Sequence, residues 1–208
     1  MWLSLWFALW TYVLVWPLSL KLARDSGEWS GTRWHAPLFD PVQHYVASWP
    51  CRLFENDELD AGLSLLPYAV PFGTLWLLWH DPVMLDAFLW YMALLELCRC
   101  ITFNVTLLPD SSQQAERRVW WWRYVVGGIH DLIFSGHVAH FYAPLLFLKR
   151  IHKLSTEWFH VSLILLVVLS CQILAHRKHY TIDILSAVAF SHWMLDVTSI
   201  PQEDAGAT

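Results

Sequence analysis

The stretch WFHVSLILLVVLSCQILA, residues 158–175, runs for 18 residues without an Asp, Glu, Lys or Arg. About 20 apolar residues in a helix cross the hydrocarbon core of a bilayer, so this run predicts a membrane-crossing helix. The rest of the chain agrees. Trp2 to Leu20, Ala61 to Trp79 and Leu132 to Leu148 are also free of charge and near that length. With 56% hydrophobic and 15% charged residues in 208, too little polar surface is left for an ordinary soluble domain.

Two further stretches are long enough but carry charges. Residues from about Pro82 to Leu108 hold Asp86, Glu96 and Arg99, and Tyr180 to Ser199 hold Asp183 and Asp196. Charges at membrane depth are costly unless they face a bundle interior or a wet cavity. The expectation is an all-α, six-transmembrane-helix bundle, a multi-pass integral membrane protein forming one domain over 1–208. Its spans fall at about 2–20, 61–79, 82–108, 132–148, 158–175 and 180–199. The first run has no basic residue before it and exceeds a usual signal core, so it is read as a helix.

Cys51, Cys98, Cys100 and Cys171 show no CxxC spacing, which argues against a disulfide framework or a zinc knuckle. The 15 Trp residues fit interfacial belts and packing. Two polar connections are long: Lys21 to Asp60, expected to include an amphipathic interfacial segment, and Pro109 to Asp131. "HDP" at 80–82 breaks one helix and starts the next, and Ser155 or Thr156 is a cap for the fifth span.

Counting crossings puts the loops after spans one, three and five on one membrane face. That face receives His137, at the start of span four, and His179, at the start of span six. Most Lys and Arg lie there too. The positive-inside rule would make it cytoplasmic, but a phosphate-handling site collects the same residues, so orientation stays open.

The chemistry concentrates in "FSGHVAH", 134–140, and "AHRKHYTIDILSA", 175–187. His179 and Asp183 are four apart and share a helical face. A carboxylate on one imidazole nitrogen fixes the tautomer and leaves the other as nucleophile or base. Imidazole attack on a phosphorus ester needs a proton donor for the leaving alkoxide, and His137 on the same surface fits that task. Ser135 and Gly136 open a helix where free N–H groups favour an anion. Arg99, Arg123 and Arg177 are candidates to stabilise transition-state charge, with Arg99 also spaced to pair with Glu96. His140 reads as a packed polar residue.

"SGH" at 135–137 and "HYTID" at 179–183 resemble the sphingomyelin synthase branch of the type 2 phosphatidic acid phosphatase superfamily. "RCITFNVTLLP", 99–109, and "GGIHDLIFSGH", 127–137, look like that branch as well. The likeness covers roughly residues 99–190 and extends to phosphatidylcholine:diacylglycerol cholinephosphotransferase. It implies a six-helix transferase in which His179, aided by Asp183, takes phosphocholine or phosphoethanolamine from a glycerophospholipid. A phosphohistidine forms, His137 handles the hydroxyl protons, and the acceptor is a lipid alcohol such as ceramide or diacylglycerol.

The resemblance requires no metal and no cofactor. It implies lipid partners and no nucleic acid, leaves a homo-oligomer open, and in a eukaryote points to Golgi, endoplasmic reticulum or plasma membrane. Asp131 and Tyr180 join the substrate-binding candidates, Asp131 as a contact for a cationic head group. Two departures are specific. Where phosphatase members carry an arginine six residues before the second histidine, this chain has Ile173, and where the synthases have Cys-Gly it has Ile129-His130.

The first alternative is a lipid phosphate phosphatase or phospholipase C type hydrolase, with water as acceptor. A histidine-metal lipid hydroxylase is the second, resting on HxxH at 137–140 and 176–179.

Overall fold

The computed structural model describes residues 2–19, 21–22, 39–48, 57–105, 134–176 and 178–200, and within them the chain is helical with no strand. Arg123, Asp131 and Arg177 lie outside the described residues. The described residues form seven helices: α1 Trp2–Trp10, continued by a π-helical stretch Thr11–Val15, α2 Pro41–Ser48, α3 Asp57–Leu78, α4 Pro82–Val105, α5 Gly136–Arg150, α6 Thr156–Ala175 and α7 Thr181–Val197.

Helix starts follow local chemistry. Asp81 accepts the Met84 N–H at 3.1 Å, so α4 begins at Pro82, where a missing N–H costs nothing. Ser135 and Ser155 cap α5 and α6 through hydroxyls that accept the Val138 and Trp158 N–H groups, each at 3.4 Å. Those caps place the two starts at Gly136 and Thr156, against expected starts at 132 and 158. The interfacial segment expected between Lys21 and Asp60 contains α2.

Helix α5 is the hub. It packs against α3, α4, α6 and α7, and Val138, Ala139, Phe141, Ala143 and Phe147 are each at most 2% exposed. Ala139 and Ala143 let neighbouring backbones approach, while Phe147 fills the space beside Phe88 and Tyr91, at ring-centroid distances of 5.2 and 5.9 Å. Tyr91 is fully buried, and its hydroxyl donates to the Ser191 carbonyl at 2.9 Å, joining α4 to α7.

The outer surface has the reverse polarity of a soluble bundle. Ser4, Thr11 and Ser19 of the first helix face inward, whereas Leu3, Trp6, Val13 and Leu18 face out. Thr74 of α3 is 1% exposed and Trp76 is 81% exposed. Water would penalise that arrangement; lipid tails do not, and helices in lipid associate through small and polar residues. Prolines 67 and 71 inside α3 and 144 inside α5 suit the same setting.

Of the six expected spans, α6 alone among the described residues is both long and apolar enough to cross a membrane by that measure. Leu3–Ser19 and Gly62–Leu78 are shorter apolar helices. Helices α4 and α7 carry the charged residues that the sequence places there, and Glu96, Arg99 and Asp183 are all buried.

Phe147→Ala should lower stability by about 3–5 kcal/mol, the usual cost of emptying a buried aromatic site. Phe72→Ala, on the outward face of α3, should change it by under about 0.5 kcal/mol. Thermal unfolding in detergent measures both.

Candidate active site

Helices α5 and α7 begin side by side. The Ser135 N–H donates to the Asp183 carbonyl at 3.1 Å, fastening the start of α5 to the first turn of α7. This brings His137 and His179 together, with ring centroids 6.1 Å apart and planes inclined by 68°. The two rings come from helix starts 45 residues apart, Gly136 and Thr181.

Asp183 organises one of them. It is fully buried, and its Oδ2 accepts from His179 Nδ1 at 3.1 Å and from the Tyr180 N–H at 2.7 Å. A carboxylate accepts and cannot donate, so the imidazole proton sits on Nδ1 and the lone pair on Nε2. The other oxygen, Oδ1, has no hydrogen-bond partner among the described residues. A buried carboxylate with one oxygen unpaired strongly favours a positive charge on the neighbouring ring, which is what attack through Nε2 creates.

Arg99 lies against the start of α5. A Cβ added at Gly136 would fall 2.6 to 2.8 Å from the guanidinium atoms, so the close approach requires glycine. The contacts that hold the guanidinium include Nη1 to Glu96 Oε1 at 3.2 Å, Nε to the Phe134 carbonyl at 3.4 Å, and its face 3.9 Å from the Trp16 ring centre. The pairing with Glu96 and the placement beside the phosphate-rest candidate therefore coexist.

His140 is bonded within its surroundings. Nδ1 is 2.9 Å from the Gly136 carbonyl, which can only accept, and Nε2 lies 3.3 Å from the Tyr12 hydroxyl and 3.6 Å from Glu96. His176 caps the end of α6.

Tyr180 is 2% exposed and precedes the first turn of α7. Beyond it stands a group the sequence reading missed. Asp40 accepts the Thr181 N–H at 2.6 Å and its hydroxyl at 3.0 Å, and Gln43 Nε2 donates to the His179 carbonyl at 2.6 Å. Burial pushes the Asp40 carboxyl up, but hydrogen bonds from Gln43, Thr181 and Val42 outweigh it and hold the carboxyl below its usual range. Its contribution is therefore present at neutral pH and lost only as pH falls through that lowered value. Asp40 before Pro41 has the form of a helix cap, the one local signal that could have singled it out.

Among the described residues, no three His, Cys, Asp or Glu side chains converge as metal ligands. A cleft of about 540 Å³ lined by Pro82, Asp86, Trp90 and Val197 lies by the far end of α7, a helix of 17 residues and so roughly 25 Å long, well away from His179.

Residues 130–199 match the family model PAP2 superfamily C-terminal. The match contains His137, His179 and Asp183, and it supports the type 2 phosphatidic acid phosphatase superfamily without selecting a branch of it. It supports, in general terms, an enzyme acting on phosphate esters of lipids. No curated protein and no solved structure matches the chain.

Gly136→Ala should displace the Arg99 guanidinium and cost about 1–3 kcal/mol, as overpacking a filled site does. Thermal unfolding of the variant beside wild type in the same detergent checks this.

Proposed function

We propose that the chain is a multi-pass membrane enzyme that moves a phospho-head-group, phosphocholine or phosphoethanolamine, from a glycerophospholipid to a lipid alcohol such as ceramide or diacylglycerol. The observation that carries this reading is the His137–His179 pair, with Asp183 on the Nδ1 of His179. A bundle with polar groups inside and large apolar side chains outside supports placing the six helices α1 and α3 to α7 across the bilayer.

In the first half-reaction, His179 Nε2 attacks phosphorus and an N–P bond forms. The bond from phosphorus to the glycerol oxygen breaks, and that oxygen takes a proton from His137, so diacylglycerol leaves neutral. Asp183 balances the charge on the phosphorylated imidazole. In the second half, His137, now neutral, accepts the proton of the incoming hydroxyl. Its oxygen attacks phosphorus, the N–P bond breaks and His179 is restored.

The start of α5 supplies free N–H groups, and the Arg99 guanidinium beside Gly136 adds positive potential for the phosphoryl oxygens. Asp131, Arg123, Arg177 and Tyr180 complete the proposed substrate contacts, with Asp131 toward the head-group cation.

A hydrolytic reading shares every step but the last, with water replacing the lipid alcohol. The superfamily match favours keeping it, since it does not distinguish the two acceptors. Ile173 stands where the resemblance would place a phosphatase arginine, which favours transfer.

Liposomes holding the protein, head-group-labelled phosphatidylcholine and ceramide or diacylglycerol test both. Label should appear in a new lipid. His137→Ala should slow it on the order of 10²- to 10⁴-fold, and His179→Ala should reduce it to background. Label released as water-soluble phosphocholine would replace transfer by hydrolysis, and undiminished turnover in His179→Ala would sink both.

A further inference from the structure

His179 precedes α7, so it is not held by that helix's own hydrogen-bond ladder. Its backbone and that of Thr181 are held by two side chains at the start of one short helix 136 or more residues earlier. Gln43 is 6% exposed and donates to the His179 carbonyl. Asp40 receives both the Thr181 N–H and the Thr181 hydroxyl, while its Oδ1 accepts the Val42 and Gln43 N–H groups at 3.0 and 2.9 Å. One carboxylate thus caps α2 and closes the start of α7 at once. Asp183 already holds the Tyr180 N–H at that start, and Asp40 adds the bonds to Thr181.

Both bonds from this segment fall just after the ring's attachment point, where the chain turns into α7. Gln43 holds the carbonyl of His179, Asp40 holds the residue two places on, and Asp183 holds the ring itself. A shift of about 1 Å in a reacting group costs on the order of 10²-fold in rate. We propose that α2, through Asp40 and Gln43, is a clasp that positions His179 so that Nε2 faces His137 while Nδ1 stays on Asp183. Both are positioning residues, and the inference rests on His179 being the nucleophile.

The test uses the full chain in liposomes. Gln43→Leu keeps the volume and removes the donor. Asp40→Asn keeps the shape but sets an amide donor against the Thr181 donors. Each should lower kcat on the order of 10- to 100-fold and leave KM within about twofold, because ground-state binding is untouched. Val42→Ala, on the exposed face of the same helix, should keep wild-type kcat. Thr181→Val removes only the hydroxyl bond to Asp40 and should give a smaller loss in kcat in a folded protein.

A second readout does not depend on turnover. In histidine-labelled protein, the His179 nitrogen resonances, assigned by their loss in His179→Ala, should show a single Nδ1-protonated tautomer in wild type and a mixture in Gln43→Leu and Asp40→Asn. Unchanged kcat and unchanged resonances in both variants would overturn the clasp. So would loss of the thermal transition in Gln43→Leu, Asp40→Asn and Thr181→Val, which would make the contacts purely structural. A wild-type protein inactive on every donor lipid would remove the transferase reading, and the resonances alone would then decide the clasp.

Discussion

Asp183 takes no exposed surface, and three hydrogen bonds converge on it from three directions. Its side chain holds the His179 ring and the Tyr180 N–H, and its backbone carbonyl holds Ser135 at the head of α5. A charge in so dry a place needs donors, and Oδ2 has two, the His179 ring and the Tyr180 N–H. Both belong to the site, so the bond that helps bury Asp183 also fixes the tautomer of His179, while its backbone carbonyl ties the starts of α5 and α7 together.

The same economy of polar groups runs through the bundle. Glu96 is 2% exposed, yet it meets Arg99 on its own helix and His140 on α5, and Tyr12 of the first helix reaches His140 from the other side. In the proposed membrane setting, helices that are apolar on their outer faces gain little by hiding hydrocarbon from lipid, so such polar bridges would select which helices meet and in what register. Arg99 links this network to the site by lying against Gly136. A glycine that the sequence presents as a flexible residue is in the structure a place where a side chain fits only if the Arg99 guanidinium moves.

Legibility in the sequence followed the range of each interaction. His179 and Asp183 are separated by one helical turn, and a spacing of four is enough to pair them. His137 was placed near His179 by counting crossings, an argument that needs only the long apolar runs. The cap at Ser155 and the helix opening at Ser135 are readable, though the exact starts lie a few residues from the apolar runs, where a hydroxyl outcompetes the apolar pattern. Which helices pack together was not readable. Apolar residues surround α6 and α7 on all sides, so periodicity marks no inward face, and the choice falls to buried Gln172, Asp183 and Ser191. Asp40 and Gln43 escaped because a local role, capping the next helix, accounts for an Asp before a Pro, and nothing in either segment announces a partner more than 130 residues away.

The position of His137 directly after Gly136 follows from these constraints together. The helix must start there because Ser135 is the cap and its N–H is taken by Asp183. Gly136 must be small because Arg99 occupies the space a side chain would need. The next residue is then the earliest in α5 that can carry a functional group, at the helix end where backbone N–H groups remain unpaired and the dipole is positive. Arg99 lies beside that end, whereas the buried Asp183 carboxylate lies beside His179. The two histidines are chemically alike in sequence and are made different by what surrounds them, one beside positive groups and one beside a buried negative group. In the proposed reaction, that difference divides the roles of acid and nucleophile between them.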